Sequence, residues 1–423
     1  MTTRPLDDAC LDALRQRGDP DADSVAARLV EKHPGLDEVD LVRRVLSQMS
    51  HRSDADDAWV RDWIIHGPPL PPWVDPALVA QGQRFFGDWL LAITGSLFCV
   101  SLPSAYASAD GAQVLRRTSP LATGQITRRT AETGQMLVDV MDLGNESPAS
   151  LQPGGQGYLS ARGVRLLHAV VRQTLLAGSL VTRDDGRIGG WPPEWGVPVN
   201  QEDLLGTLLT FTTAVFHGMD RLGIPYDPAD AEAYVHTWCV VGHLLGIDPP
   251  LLPFDRAFGE QLAETIARRH HRPSDAGDQL MTAHLRQMEL SMPWGFMRVP
   301  RTLIRHMLGP EIPDILRVPR AAWWRPALTA LAAVGPAVGR LPGGARVMQA
   351  PSTLIGRSMM RSYIDQALGQ ERPAFRLDER AVHRLSLRRS RGGLRRARRR
   401  SRAALHRPPA MSSNSRDQVE VTS

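Results

Sequence analysis

Three short stretches bring together residue types that could do chemistry. In Arg129-Thr130-Ala131-Glu132-Thr133, the arginine and the last threonine lie four apart and share one helical face. A guanidinium beside a hydroxyl can hold an anion or a polar ligand, and Glu132 adds a carboxylate between them. On spacing alone the same pair also fits plain decoration of a helix surface. In VRLLHAVVRQ (164–173), Val164, His168, Val171 and Leu175 follow i, i+4, i+7 and i+11. That places His168 inside an apolar stripe, with Arg165 and Arg172 read as lying on other faces. Such a histidine is either a hydrogen-bonded core residue or a neutral axial ligand to a haem iron. The third stretch, EAYVHTWCVVGH, puts Glu232, His236, Cys239 and His243 on one face, a donor set suited to a transition metal. A di-iron bundle needs Glu-x-x-His pairs on two helices; here the spacing is Glu-x-x-x-His and it has no second copy.

Other signatures are missing. HExxH, GxSxG and Walker A motifs do not occur, which argues against zincin proteases, α/β-hydrolases and P-loop NTPases. PGGQGY (153–158) is a glycine-rich turn without the preceding strand of a nucleotide site. His270 and His271 are adjacent and cannot face one way. Cys10, Cys99 and Cys239 are far apart, so a disulfide framework, a cysteine zinc site and covalently attached haem are all disfavoured, and a reducing compartment fits best.

The elements that must position these residues are helical. The chain has 423 residues, 42% hydrophobic and 22% charged, a globular composition with length for a large core. Residues 6–65 read as short polar helices, and HGPPLPPWVDP (66–76) as a proline-rich joint. Helical patterning follows from 77 to 375. Asn200 is expected to cap a helix beginning QEDLL, and Asp227–Pro228 to open another. IDPPLLPFD (247–255) ends that stretch, and Val181–Ile188 offers one small hairpin around Asp185–Gly186. The expected class is all-α. One large helical domain (76–375) carries an N-terminal helical extension (1–75) and an arginine-rich tail (376–423). The apolar stretches Trp89–Leu102 and Ala327–Gly339 fall short of the roughly 20 residues that span a bilayer, and read as buried helices. The opening MTTRPLDDACLDAL is not a secretory signal. A soluble, monomeric cytoplasmic protein is the default expectation.

The net charge of +5 comes from one segment. Residues 380–407 hold 12 arginines and no acid; residues 1–379 carry a net −6. The segment should be disordered when free. It is either a solvated tail or a peripheral contact for an anionic membrane. No aromatic residue interleaves the arginines, so specific nucleic-acid recognition is not expected.

Taken in order, ETGQMLVDVMDLG, PGGQGY, VRLLHAVVRQ, VPVNQEDLLGTLLTF and AYVHTWCVVGHLLGI resemble the bacterial rubber oxygenases (latex clearing proteins) and the fungal oxygenase of mycophenolic acid biosynthesis, over about residues 85–300. The resemblance implies a globin-like helical core with non-covalent haem b and dioxygen as co-substrate. It makes His168 the proximal iron ligand. Arg129 and Thr133 match the family's Arg-x-x-x-Thr pair near the haem, and with Glu132 form the expected catalytic set. Oxidative C=C cleavage is the implied reaction. The chain departs from the rubber-cleaving members in three places: Glu132 stands where they carry lysine, Gln173 where they carry a second histidine, and their glutamate ahead of the arginine has no counterpart nearer than Asp110. A smaller apolar substrate, an isoprenoid or another lipid, is therefore expected. The alternatives are a non-catalytic haem- or lipid-binding helical protein, and a non-haem metal enzyme using Glu232, His236 and His243.

Overall fold

The computed structural model describes residues 6–34, 36, 41, 44, 45, 57–118, 123–143, 149–177, 190–292, 296–320 and 325–368. The expected hairpin at 181–188 and the arginine-rich tail lie outside them. The helices run α1 (Asp8–Arg15), α2 (Pro20–Lys32), α3 (Ala58–Ile65), α4 (Pro76–Asp88) and α5 (Leu90–Ser96). A π-helical turn, Leu97–Ser101, leads into α6 (Leu102–Ala107), α7 (Ala109–Arg117), α8 (Thr123–Val140) and α9 (Gln156–Leu176). Then come α10 (Gln201–Phe211), α11 (Thr213–Arg221), α12 (Pro228–Leu244), α13 (Arg256–His270) and α14 (Asp275–Leu290). The last are α15 (Val299–Leu308), α16 (Glu311–Ile315), α17 (Arg325–Gly339) and α18 (Gly344–Leu368). Among the described residues, sheet pairing is limited to an isolated bridge between Ser108 and His271. The architecture is all-α.

Local signals start these helices where the sequence places them. The Asn200 side chain accepts from the Asp203 N–H at 2.9 Å, and Asp227 accepts from the Ala229 N–H at 2.8 Å. Each satisfies a donor that a helix N-terminus leaves free. α9 opens earlier than the stripe containing His168, at Gln156, after Gly154 turns the chain at φ +89°.

Two apolar clusters fill the body. Phe85 and Phe86 of α4, Phe216 of α11, and Tyr234 and Trp238 of α12 set their rings 5.4–6.4 Å apart. The second cluster surrounds the π-helical turn. There Cys99 and Val100 pack with Tyr106, Ile304 and Met307. A π turn breaks the helical bonding pattern, and the Phe98 carbonyl accepts instead from Nε2 of the buried His284, at 2.9 Å.

The first two helices are fastened to this body by ion pairs. Arg165 of α9 holds Asp19, Arg172 holds Asp23, and Arg15 reaches Glu202 at 3.3 Å and Asp203 at 3.4 Å.

Of the two apolar stretches, the first is a buried helix as expected but longer, and the second departs from expectation. The first continues past Leu102, because the π turn passes directly into α6. Leu90–Ala107 is thus 18 residues, long and apolar enough by length and composition to cross a membrane, and 56% of it is buried within the molecule. The second, in α17, is not a buried helix. Gly335 packs against Gly223, Leu328 and Val338 are half-buried, and Val334 is left 54% exposed.

Candidate active site

α8 and α9 carry the predicted site residues, and they pack side by side. His168 lies on α9 in a half-buried row with Val164, Leu167 and Val171, flanked by the fully buried Leu166, Ala169 and Val170. Its Nδ1 is sealed from solvent and has no hydrogen-bond partner among the described residues. The imidazole titrates far below its ordinary range, at about 4. Burial is the main cause, reinforced by the guanidiniums of Arg172 and Arg129 and opposed by Asp19. The ring is therefore neutral at pH 7.

The structure thus brings Arg129 of α8 into electrostatic contact with His168 of α9. The Arg129 guanidinium is fixed from its other side, donating to the Thr118 hydroxyl at 3.0 Å and to the Leu115 carbonyl at 3.4 Å, both at the end of α7. Thr133 is exposed, and its hydroxyl donates back to the Arg129 carbonyl at 3.2 Å. Glu132 accepts from the exposed Arg128 at 3.1 Å. Its carboxylate is engaged in that pair, one turn along the same helix.

Arg172 was placed on another face by the sequence pattern, but it stands four residues after His168 and bears on it directly. The i+4 spacing was the available signal. Its charge is compensated by Asp23 and by the carbonyls of Pro198 and Val199, so it is a buried cation that helps keep His168 neutral. Asp110 accepts from Arg272 at 2.5 Å and lies 3.6 Å from Arg15, which makes it part of an ion-pair cluster on α7.

The Glu232–His236–Cys239–His243 set is not assembled as a metal site. Glu232 accepts from the Arg256 N–H at 3.2 Å, His236 Nε2 accepts from the Asp75 N–H at 3.0 Å, and the Cys239 thiol donates to the Pro253 carbonyl. His236 and His243 each meet the edge or face of Trp73. Residues three or four apart share a face, but two neighbouring segments take up these donors: Trp73–Asp75 meets the histidines, and Pro253–Arg256 meets Cys239 and Glu232. Among the described residues no cluster of three or more His, Cys, Asp or Glu side chains is arranged to hold a metal ion.

The catalytic-domain model described as "ER-bound oxygenase mpaB/B'/Rubber oxygenase" matches residues 83–340, which include all of α8 and α9. The chain belongs to this family. A rubber oxygenase of Streptomyces sp. (strain K30) is 26% identical over 249 residues, 56% of this chain and 54% of that protein. The chain thus spans about half the length of that curated relative. The solved structure of latex clearing protein in the closed state matches with a TM-score of 0.62 at 18% identity, over 83% of this chain and 91% of that one. That likeness is one of fold. The mpaB/rubber oxygenase family is a family of oxygenases, which use dioxygen.

The His168 region fits the haem that the resemblance implies. An unpartnered, sealed nitrogen on a neutral ring is a costly arrangement unless something meets the imidazole. The half-buried apolar row on either side of it is a surface that a flat apolar group can cover, and Arg129 supplies a nearby cation for a carboxylate.

Proposed function

We propose that this chain is a haem b-dependent oxygenase acting on a small apolar alkene, with His168 as the residue that would hold the iron. The carrying observation is the state of His168: half-buried in an apolar row, unpartnered at Nδ1 and held neutral by burial and two guanidiniums. A neutral imidazole keeps the lone pair that a metal needs. When bound, the haem would supply the activation of dioxygen for oxidative C=C cleavage.

The chain's own residues have narrower roles. His168 would hold and orient the group. Arg129, fixed at Thr118 and Leu115, keeps a positive charge beside the imidazole and can bind a carboxylate of the cofactor. Val164, Leu167 and Val171 exclude water from the imidazole. Thr133 and Glu132 lie along the same helix, Thr133 shaping the backbone through its bond to the Arg129 carbonyl and Glu132 neutralising Arg128. Glu132 in place of the lysine of rubber-cleaving members supports a smaller apolar substrate, an isoprenoid or lipid, over a polymer.

The test is an absorption spectrum with a pyridine haemochrome assay, after expression with haem precursor supplied. A Soret band is expected in the wild type, lost or strongly shifted in His168→Ala. A colourless wild type overturns the reading. Haem b bound without oxygen-dependent product from any apolar alkene tested replaces an oxygenase with a haem-binding protein.

A further inference from the structure

The hairpin of α17 and α18 carries an apolar face that the rest of the molecule does not cover. Val334 is 54% exposed, Leu341 61%, Val347 70% and Leu354 75%. With Ile355 and Met359, the hairpin holds six of the ten exposed large hydrophobic residues among those described. Their spacing is helical. Ala330, Val334 and Ala337 recur at intervals of four and three within α17, Leu341 sits in the turn that follows, and Val347 and Leu354 lie two turns apart on α18. Isolated exposed apolar residues need no explanation, but a contiguous aliphatic patch marks an interaction surface.

The inner side of the hairpin is already used. Ser352 accepts from the Leu91 N–H at 3.2 Å, Gly356 lies against Leu90 and Leu91, and Met360 and Ile364 pack on Gly134 of α8. The outer face is therefore the one left for a partner.

Charge selects the partner. Residues 325–368 contain five arginines, at 325, 340, 346, 357 and 361, against a single acid, Asp365. All five are exposed. In the sequence, the arginine-rich segment 380–407 begins 12 residues after Leu368. We propose that this hairpin docks on an anionic lipid bilayer, its aliphatic side chains entering the headgroup region and its arginines meeting lipid phosphates. Exposed aliphatic residues flanked by arginine are the composition of helices that lie in a membrane interface. A second copy of the chain is disfavoured as the occupant, since a two-fold contact would set the same arginines against one another. The exposed apolar side chains are aliphatic, so they give nucleic-acid bases no stacking platform.

The docking itself does not depend on the haem reading. If both hold, they meet at α8: the hairpin that touches the membrane packs at Gly134 on the helix bearing Arg129, which suits a substrate dissolved in lipid.

The experiment is flotation of the full chain with phosphatidylcholine vesicles, with and without phosphatidylserine, at low and high salt. Binding is expected only with phosphatidylserine and to weaken in high salt. Two variants separate the contributions: Leu341→Gln/Val347→Gln/Leu354→Gln, and Arg340→Gln/Arg346→Gln/Arg357→Gln. All six positions are exposed, and circular dichroism checks that the variants fold. Each should lower partitioning by about tenfold or more. Wild type that does not bind phosphatidylserine vesicles overturns the proposal. So does binding that survives in both variants, which would assign it to residues beyond the hairpin. A concentration-dependent dimer abolished by the first variant, without vesicle binding, would make a second copy the occupant and equally overturn it.

Discussion

Arg165 grips Asp19 through two hydrogen bonds, Nε to Oδ2 at 2.5 Å and Nη2 to Oδ1 at 2.6 Å, tying the start of α2 to α9 three residues before His168. Both side chains are nearly buried, at 12% and 5% exposure. Asp19 also caps α2, accepting from the Ala22 N–H. Asp19→Ala therefore leaves a mostly buried guanidinium with only the exposed Asp21, 3.6 Å away, and removes a cap at once. Losing one partner of a buried pair costs about 3–5 kcal/mol. Urea denaturation should show a loss of that order in Asp19→Ala. Adding Arg165→Met should recover part of it, since the stranded charge goes too. A double variant no more stable than the single one would show that the cap, not the pair, carries the effect.

Arg129 and Arg172 both push the His168 titration down, while burial is the larger cause. Arg129→Gln removes one of the two cations and leaves the burial. The His168 pKa should rise from about 4 and still remain below the ordinary imidazole value of 6.5. NMR titration of the ring in the haem-free protein reads this directly. An unmoved pKa would mean that the guanidinium does not sense the imidazole.

Acid should destabilise the fold through its buried histidines. His168, His271 and His284 all titrate near 4 in the folded chain, each mainly through burial. Unfolding releases them to about 6.5, so the unfolded chain binds more protons between these values. Their contribution is present above pH 6.5 and is lost as pH falls toward 4. Asp203 and Asp142, raised by burial to about 6, act in the opposite sense over the lower part of that window. His284→Leu isolates one histidine. At pH 7 it should cost about 1–3 kcal/mol, because the Phe98 carbonyl loses its donor. At pH 5 the gap to wild type should narrow, since the wild type has by then begun to lose the His284 contribution. Urea midpoints at the two pH values test this, and a gap that stays constant refutes it.

The sequence carries what is local. The caps at Asn200 and Asp227, the all-α class and the order of motifs are legible because each depends on residues a few positions apart. His168 is legible as an imidazole on an apolar row, but its unpartnered Nδ1 is not, since that depends on what α8 brings or fails to bring. Long-range pairs such as Arg15 with Glu202, 187 residues apart, leave no trace in spacing. The face formed by Glu232, His236, Cys239 and His243 shows the converse error. Common helical phase brings residues to one side of a helix, but two neighbouring segments, at Asp75 and at Pro253–Arg256, then claim the donors. α17 reads as core because it is rich in alanine and valine, yet of its described residues only Gly335 is buried, and Val334 faces outward.

Two glycines make opposite predictions from one rule. In a helix interior, glycine to alanine ordinarily stabilises by about 0.5–1 kcal/mol, because alanine gives up less backbone freedom on folding. At Gly95 of α5 an added Cβ meets nothing within 4 Å, so Gly95→Ala should show that gain. Gly82 is where α4 and α12 touch. A Cβ there would lie 2.5 Å from the Ala233 carbonyl oxygen and collide with the Thr237 hydroxyl. That hydroxyl already donates to Ala233 at 2.9 Å, and the carbonyl belongs to a helix backbone, so neither can withdraw freely. Overpacking of this kind costs about 1–3 kcal/mol, more than the propensity gain. Gly82→Ala should therefore lower the urea midpoint while Gly95→Ala raises it. A stabilised Gly82→Ala would mean that α4 and α12 can separate at no cost, and that the aromatic cluster between them, rather than backbone contact, sets their distance.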